Sequence, residues 1–126
     1  MKKEFVHYEL AVKLKELGFD ERCLFAFDNC STPMRCTDLR TSDQKFNGVN
    51  YNSSSYTSQP TFSQAFRFFR EKYNLYSFVF KFDEGFGYET FKEGVTQTNE
   101  SFDTYDEAEL ACLTKLIEIV EQQKQN

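Results

Sequence analysis

Tryptophan is absent from this chain, histidine occurs once, proline twice and glycine five times, and no apolar run approaches the length of a membrane span. Each scarcity excludes something. Without the roughly 18 consecutive apolar residues of a spanning helix, no membrane segment is expected. The opening MKKEFVHYELAVKLKEL is charged throughout and lacks the apolar stretch of a secretory signal. The expected address is therefore the cytosol. There Cys23, Cys30, Cys36 and Cys112 stay reduced. Few glycines leave one G-x-G, at Gly85-Phe86-Gly87. It joins two strand-like runs, whereas nucleotide motifs lead from a strand into a helix, so it reads as a hairpin turn. A net charge of -5 argues against broad phosphate-backbone binding but not against a local basic patch.

What the chain has in abundance is aromatic surface, 15 Phe and 7 Tyr in 126 residues. The length suits a single domain, 1–126, and each buried aromatic removes roughly 150–250 Å² from water. From Phe5 to Leu17, Val6, Leu10, Leu14 and Leu17 share one helical face. Gly18 then offers a left-handed stop with Phe19 folding back onto Leu14. Cys23 to Phe27 reads as a short strand buried on both faces. Between about residues 29 and 60 the composition turns to Ser, Thr, Asn and Asp, a long polar loop. Asn47-Gly48 is placed there to turn a small hairpin.

Order returns at Thr61, where T-F-S-Q forms a capping box for a helix carrying Phe62, Phe66, Phe69 and Tyr73. Asn74 is its stop. Tyr76, Phe78, Phe80 and Phe82 then alternate with Ser77, Val79 and Lys81, the period of a half-buried strand. Tyr88 to Lys92 returns beside it. Thr104 with Glu107 caps a last helix to about Gln123, with Leu110, Leu113, Leu116, Ile117 and Val120 as its apolar set. The fold class is α+β, a small antiparallel sheet of three to four strands packed against three helices, in the order α-β-(loop)-α-β-β-α. Phe62, Phe66, Phe69, Phe78, Phe80, Leu113 and Leu116 are expected in one core.

Candidate chemistry is sparse. Cys23, Cys30 and Cys36 lie too far apart for the paired ligands of a structural zinc site, so neither metal nor cofactor is expected. His7 would need a nucleophile or an orienting carboxylate to act in catalysis, and no catalytic signature supplies one. Glu109 falls in the apolar stripe of the last helix. It either points to the helix N-terminus, where the dipole favours negative charge, or pairs with Arg67 or Arg70. Those two arginines, three apart, are able to grip an anion, and are more often solvated surface. Phe68 stands off the helix's own stripe. Either a second layer covers it, or it is an exposed aromatic beside arginine, the composition of an interface hot spot. Arg67, Phe68, Arg70 and Glu109 are thus the candidate binding residues.

The phrases FVHYELAVKLKELGFDE, PTFSQAFRFFREKYNL and YDEAELACLTKLIEIV resemble a group of small uncharacterised proteins encoded by Bacteroides-group gut bacteria and their phages. The likeness covers about half of the chain. The resemblance implies a setting, that of a phage or mobile-element accessory protein in the cytosol of a bacterial host or packaged in a virion, and no activity or catalytic residues. Size, surplus aromatics and missing catalytic motifs favour a non-enzymatic protein–protein interaction module with a host or phage protein as partner. The alternatives are a nucleic-acid-associated accessory protein using a local Arg/Lys patch, and an enzyme whose site is not legible in sequence. For that enzyme Glu109, His7 and Tyr73 are the first suspects. Oligomeric state is left open.

Overall fold

The chain enters its first helix from an extended segment. The computed structural model describes residues 4–21, 23–28, 35–38, 56–91, 95–97 and 101–125. Phe5 bridges Thr61 in antiparallel fashion, the Val6 N–H donates to the Pro60 carbonyl at 2.9 Å, and Gln59 Nε2 donates to the Val6 carbonyl at 3.0 Å. Because these residues are held by strand-like bonds, helix α1 (Tyr8–Glu16) starts later than the apolar periodicity suggested. It stops as expected. Gly18 has φ 99°, its N–H donates to the Lys15 carbonyl, and the Phe19 N–H donates to that of Leu14. Leu14 and Phe19 are both buried, which completes a Schellman stop.

Two compact units divide the chain, residues 1–64 and 65–126. In the first, α1 packs beside a three-stranded antiparallel sheet of order β2-β1-β3. Its strands are β1 (Phe25–Asp28), β2 (Arg35–Asp38) and β3 (Tyr56–Gln59). Ala26 and Phe27, on opposite faces of β1, are both buried, as the apolar run implied. Ring contacts tie the N-terminal segment to the same strand, Phe5 to Phe25 at 5.0 Å and Tyr8 to Phe27 at 5.2 Å, both edge-to-face. Strands β2 and β3 come from the polar stretch read as loop. Hydroxyl residues gave no apolar alternation to mark them, yet Thr57 and Ser58 are fully buried. The Asn47-Gly48 turn lies outside the described residues, as does Cys30.

The second helix, α2 (Phe62–Tyr73), opens on a complete capping box. The Gln64 N–H donates to Thr61 Oγ1 at 3.1 Å, and the Thr61 N–H donates to Gln64 Oε1 at 3.0 Å. It ends at Asn74, which has φ 53°, a left-handed conformation asparagine tolerates. The Leu75 N–H then returns to the Phe69 carbonyl.

The second unit carries another three-stranded antiparallel sheet, order β4-β5-β6, formed by β4 (Tyr76–Phe82), β5 (Gly85–Phe91) and β6 (Val95–Gln97). Helix α3 (Tyr105–Gln125) lies against β4 and β5. Its cap uses the Thr104 hydroxyl twice, accepting from the Glu107 N–H and donating to the Glu107 carboxylate, both at 3.1 Å. The class is α+β with three helices and antiparallel strands, the strands falling into two sheets rather than one. Leu113, Leu116, Ile117 and Val120 are buried along α3. No described helix is long and apolar enough to cross a membrane.

Candidate functional site

Strand β4 faces the opposite way from the one its alternation predicts. Its register with β5 puts Tyr76, Phe78, Phe80 and Phe82 opposite Phe91, Glu89, Gly87 and Gly85. The other face pairs Ser77 with Thr90, Val79 with Tyr88 and Lys81 with Phe86. Helix α3 covers this second face. Ser77 is hydrogen-bonded to the Cys112 thiol, the Phe86 ring meets Tyr105 at 6.2 Å, and Tyr88 and Thr90 are buried.

The phenylalanine face is the outward one. Tyr76, Phe78 and Phe82 are 49%, 46% and 39% exposed, while Phe80 and Phe91 are half-buried. Phe78 and Phe80, both expected in the core, therefore leave it. The rings form one continuous ladder, Phe78 to Phe80 at 5.8 Å, Phe80 to Phe82 at 5.9 Å, and Phe78 stacked on Phe91 at 5.4 Å.

Glycine makes this ladder possible. A Cβ on Gly87 would lie 3.1 Å from Phe80 Cζ and 3.2 Å from Phe82 Cε1, so the rings lie down over bare backbone. At Gly85, φ is 156° and a Cβ would lie 2.6 Å from the Phe102 carbonyl oxygen. That close approach admits the paired Phe86–Phe102 bonds, both 2.9 Å, which cover the far side of β5 beyond β6.

The face carries little charge. Among its described side chains Glu89 is the one ionisable group besides the Tyr76 phenol. Lys81 points the other way and leans over the Phe86 ring at 5.3 Å. Exposed rings without cations make an apolar contact surface and a poor track for a phosphate backbone.

The residues singled out from sequence lie elsewhere. Phe68 is 4% exposed and edge-on to Phe69 at 5.3 Å and to Tyr73 at 5.7 Å, so it is the covered alternative that the structure adopts. Lys72 Nζ sits 6.0 Å from its ring centre. Arg67 and Arg70 are exposed on α2. Glu109 is half-buried, and its carboxyl is held above the usual range, first by burial and then by Asp106. That direction is opposite to the one an arginine partner imposes. His7 is exposed at the N-cap of α1 without a side-chain capping bond, and Tyr73 is half-buried at the end of α2. Cys23 and Cys112 are buried free thiols, pushed up to about 12 and about 11 chiefly by burial. Such thiols behave as small apolar groups. Among the described residues no three His, Cys, Asp or Glu side chains gather as a metal cage requires.

Signals for the outward face do exist in the sequence. Gly85, Gly87 and Glu89 alternate on β5, and once paired with Phe82, Phe80 and Phe78 they place a carboxylate and two bare backbones on the phenylalanine side. Comparison with known proteins finds no matching family model, no similar curated protein and no similar solved structure.

Proposed function

We propose that this chain is a non-enzymatic protein–protein interaction module whose contact surface is the aromatic face of β4 and β5. The observation that carries the reading is the outward ladder of Tyr76, Phe78 and Phe82, each more than a third exposed, on a sheet whose other face is taken by α3. Aromatic rings are rigid and rich in contact area, and they supply much of the energy at hot spots. The scarcity of charge on this face favours an apolar partner surface. The setting suggested by the sequence resemblance, a phage or mobile-element accessory protein meeting a host or phage protein, belongs to the same proposal.

The test is capture of a partner from extracts of the host bacterium by the immobilised chain and by its Phe78→Lys/Phe82→Lys variant. Circular dichroism and a thermal melt confirm that the variant is folded. Loss of a specific protein with the variant supports the reading. Retention of that protein by the folded variant overturns it. A salt-dependent gel shift with single-stranded DNA, lost with the Arg67→Ala/Arg70→Ala variant, would transfer the assignment to the nucleic-acid alternative.

A further inference from the structure

Among the described residues strand β4 is an edge. It pairs with β5 on one side, and among the described residues no strand pairs with its other side. In an antiparallel edge strand every second residue turns its N–H and C=O outward, a row ready to template another strand. Proteins blunt such edges with charge, proline or bulges. Here β4 has seven residues without proline, and every β4 residue from Tyr76 to Phe82 finds a partner in the register with β5. Its only charged residue, the exposed Lys81, lies on the α3 side and leans over Phe86, towards β5 and away from the free edge.

The sequence of the edge is complementary to itself. In YSFVFKF, Val79 is the centre, with aromatic residues at 76, 78, 80 and 82. A two-fold axis through Val79 pairs Tyr76 with Phe82 of a second copy and Phe78 with Phe80. Every outward aromatic thus meets an aromatic, a favourable cross-strand pair. On the other face the same axis sets Lys81 against Ser77, so no like charges meet.

We infer that two copies of this chain associate through β4, edge to edge about a two-fold axis at Val79, into one six-stranded antiparallel sheet with a continuous aromatic face. The inference deepens the interaction reading by naming a second copy as one partner of the surface, and it leaves the ladder itself open, now doubled, to another protein. Edge pairing brings together one seven-residue strand per copy and leaves the exposed ring faces in water, a small contact beside the about 1,200 Å² or more of a stable interface, so this dimer is weak and concentration-dependent.

Analytical ultracentrifugation of the full chain over a micromolar series, together with Val79→Cys oxidised mildly, tests it. The expected result is a reversible monomer–dimer equilibrium. The variant should yield a disulfide joining the two position-79 peptides, identified by mass spectrometry among the native cysteines. Should Val79→Cys fold poorly, an equimolar mixture of Phe78→Cys and Phe80→Cys reads the same register at exposed and half-exposed sites. A 78–80 cross-link is expected, in excess over 78–78 and 80–80.

A chain that stays monomeric to high micromolar concentration overturns the inference. So does a dimer in which neither cross-link forms, since it must use another surface. A monomer whose Phe78→Lys/Phe82→Lys variant still loses its captured partner removes only this inference. A cross-linked dimer that captures nothing removes the partner reading and leaves the edge pairing.

Discussion

Truncating Phe69 and Phe78 separately should give very different losses, although both are phenylalanines in strongly periodic elements. Phe69 is fully buried on α2, in ring contact with Phe68 and Tyr73. Phe69→Ala removes its transfer energy and leaves a cavity, costing about 3–5 kcal/mol. Phe78 is 46% exposed, so truncation forfeits about half the 1.5–3 kcal/mol of full burial, or roughly 1 kcal/mol. Urea unfolding followed by far-UV circular dichroism measures both, with the slope of the transition checked for a change in the denatured state. In a thermal melt the first variant should fall by about 10 °C or more and the second by a few degrees. Equal losses would mean that Phe78 is core, and the outward orientation of β4 would be wrong. A loss of under about 1 kcal/mol at Phe69 would refute its burial by the same reasoning.

Gly85→Ala should cost about 2–4 kcal/mol, because the added Cβ strains the backbone at φ 156° and pushes off the segment that makes two bonds with Phe86. An unchanged denaturation midpoint would show that the segment at Phe102 yields freely. Cys23 and Cys112 should resist an aromatic disulfide reagent at pH 8 in the native state and react once unfolded, since burial holds both thiols well above that pH. Rapid labelling of either in the folded chain would contradict the packing. Glu109→Gln should be at least as stable as the parent at pH 7. The folded carboxyl titrates above its unfolded value, so the parent loses stability as pH rises from the unfolded pKa through the folded one. The advantage of the variant should vanish below about pH 4, where the carboxyl is protonated in both states. A variant less stable at pH 7 would mean that Glu109 holds a favourable charged contact.

Local signals were legible wherever a few residues settle their own backbone. Both capping boxes, the Gly18 stop and the Asn74 stop depend on side chains three to five residues apart, and the structure has all of them. The start of α1 was not legible, because Phe5 and Val6 answer to Thr61 and Pro60, more than fifty residues away. Strands β2 and β3 were missed for a related reason. Period-2 apolar alternation marks a strand with one wet face, whereas β3 buries Thr57 and Ser58, residues whose composition says loop. The shift of the core on α2 has a simpler origin. The helix buries Phe62, Ala65, Phe68 and Phe69, a face turned from the expected stripe towards Phe68, and leaves Phe66 and Tyr73 half-covered.

The candidate site was hidden by a rule that is correct for one strand and insufficient for two. Alternation along β4 identifies two faces and assigns the more apolar one to the core. A sheet face, however, is made of both partners, and its burial depends on the shape that a helix can meet. Phe80 and Phe82 both lie against Gly87, so these rings already cover bare backbone and leave a low aromatic floor with Glu89 beside it. The opposite face offers Val79, Tyr88 and Phe86 around the hydroxyls of Ser77 and Thr90, and the Cys112 thiol reaches Ser77 there. α3 settles on that face because half-buried Ser77 and buried Cys112 satisfy each other, whereas Glu89 under a helix would sit against the buried Leu113, Leu116 and Ile117 face of α3. One carboxylate and the bare backbone of Gly87 on β5 thus send four aromatic side chains of β4 to the outside. That placement also leaves the edge of β4 flanked by apolar rings on its outer face, where charge would otherwise guard it, and so ties the docking face and the self-complementary edge to a single cause.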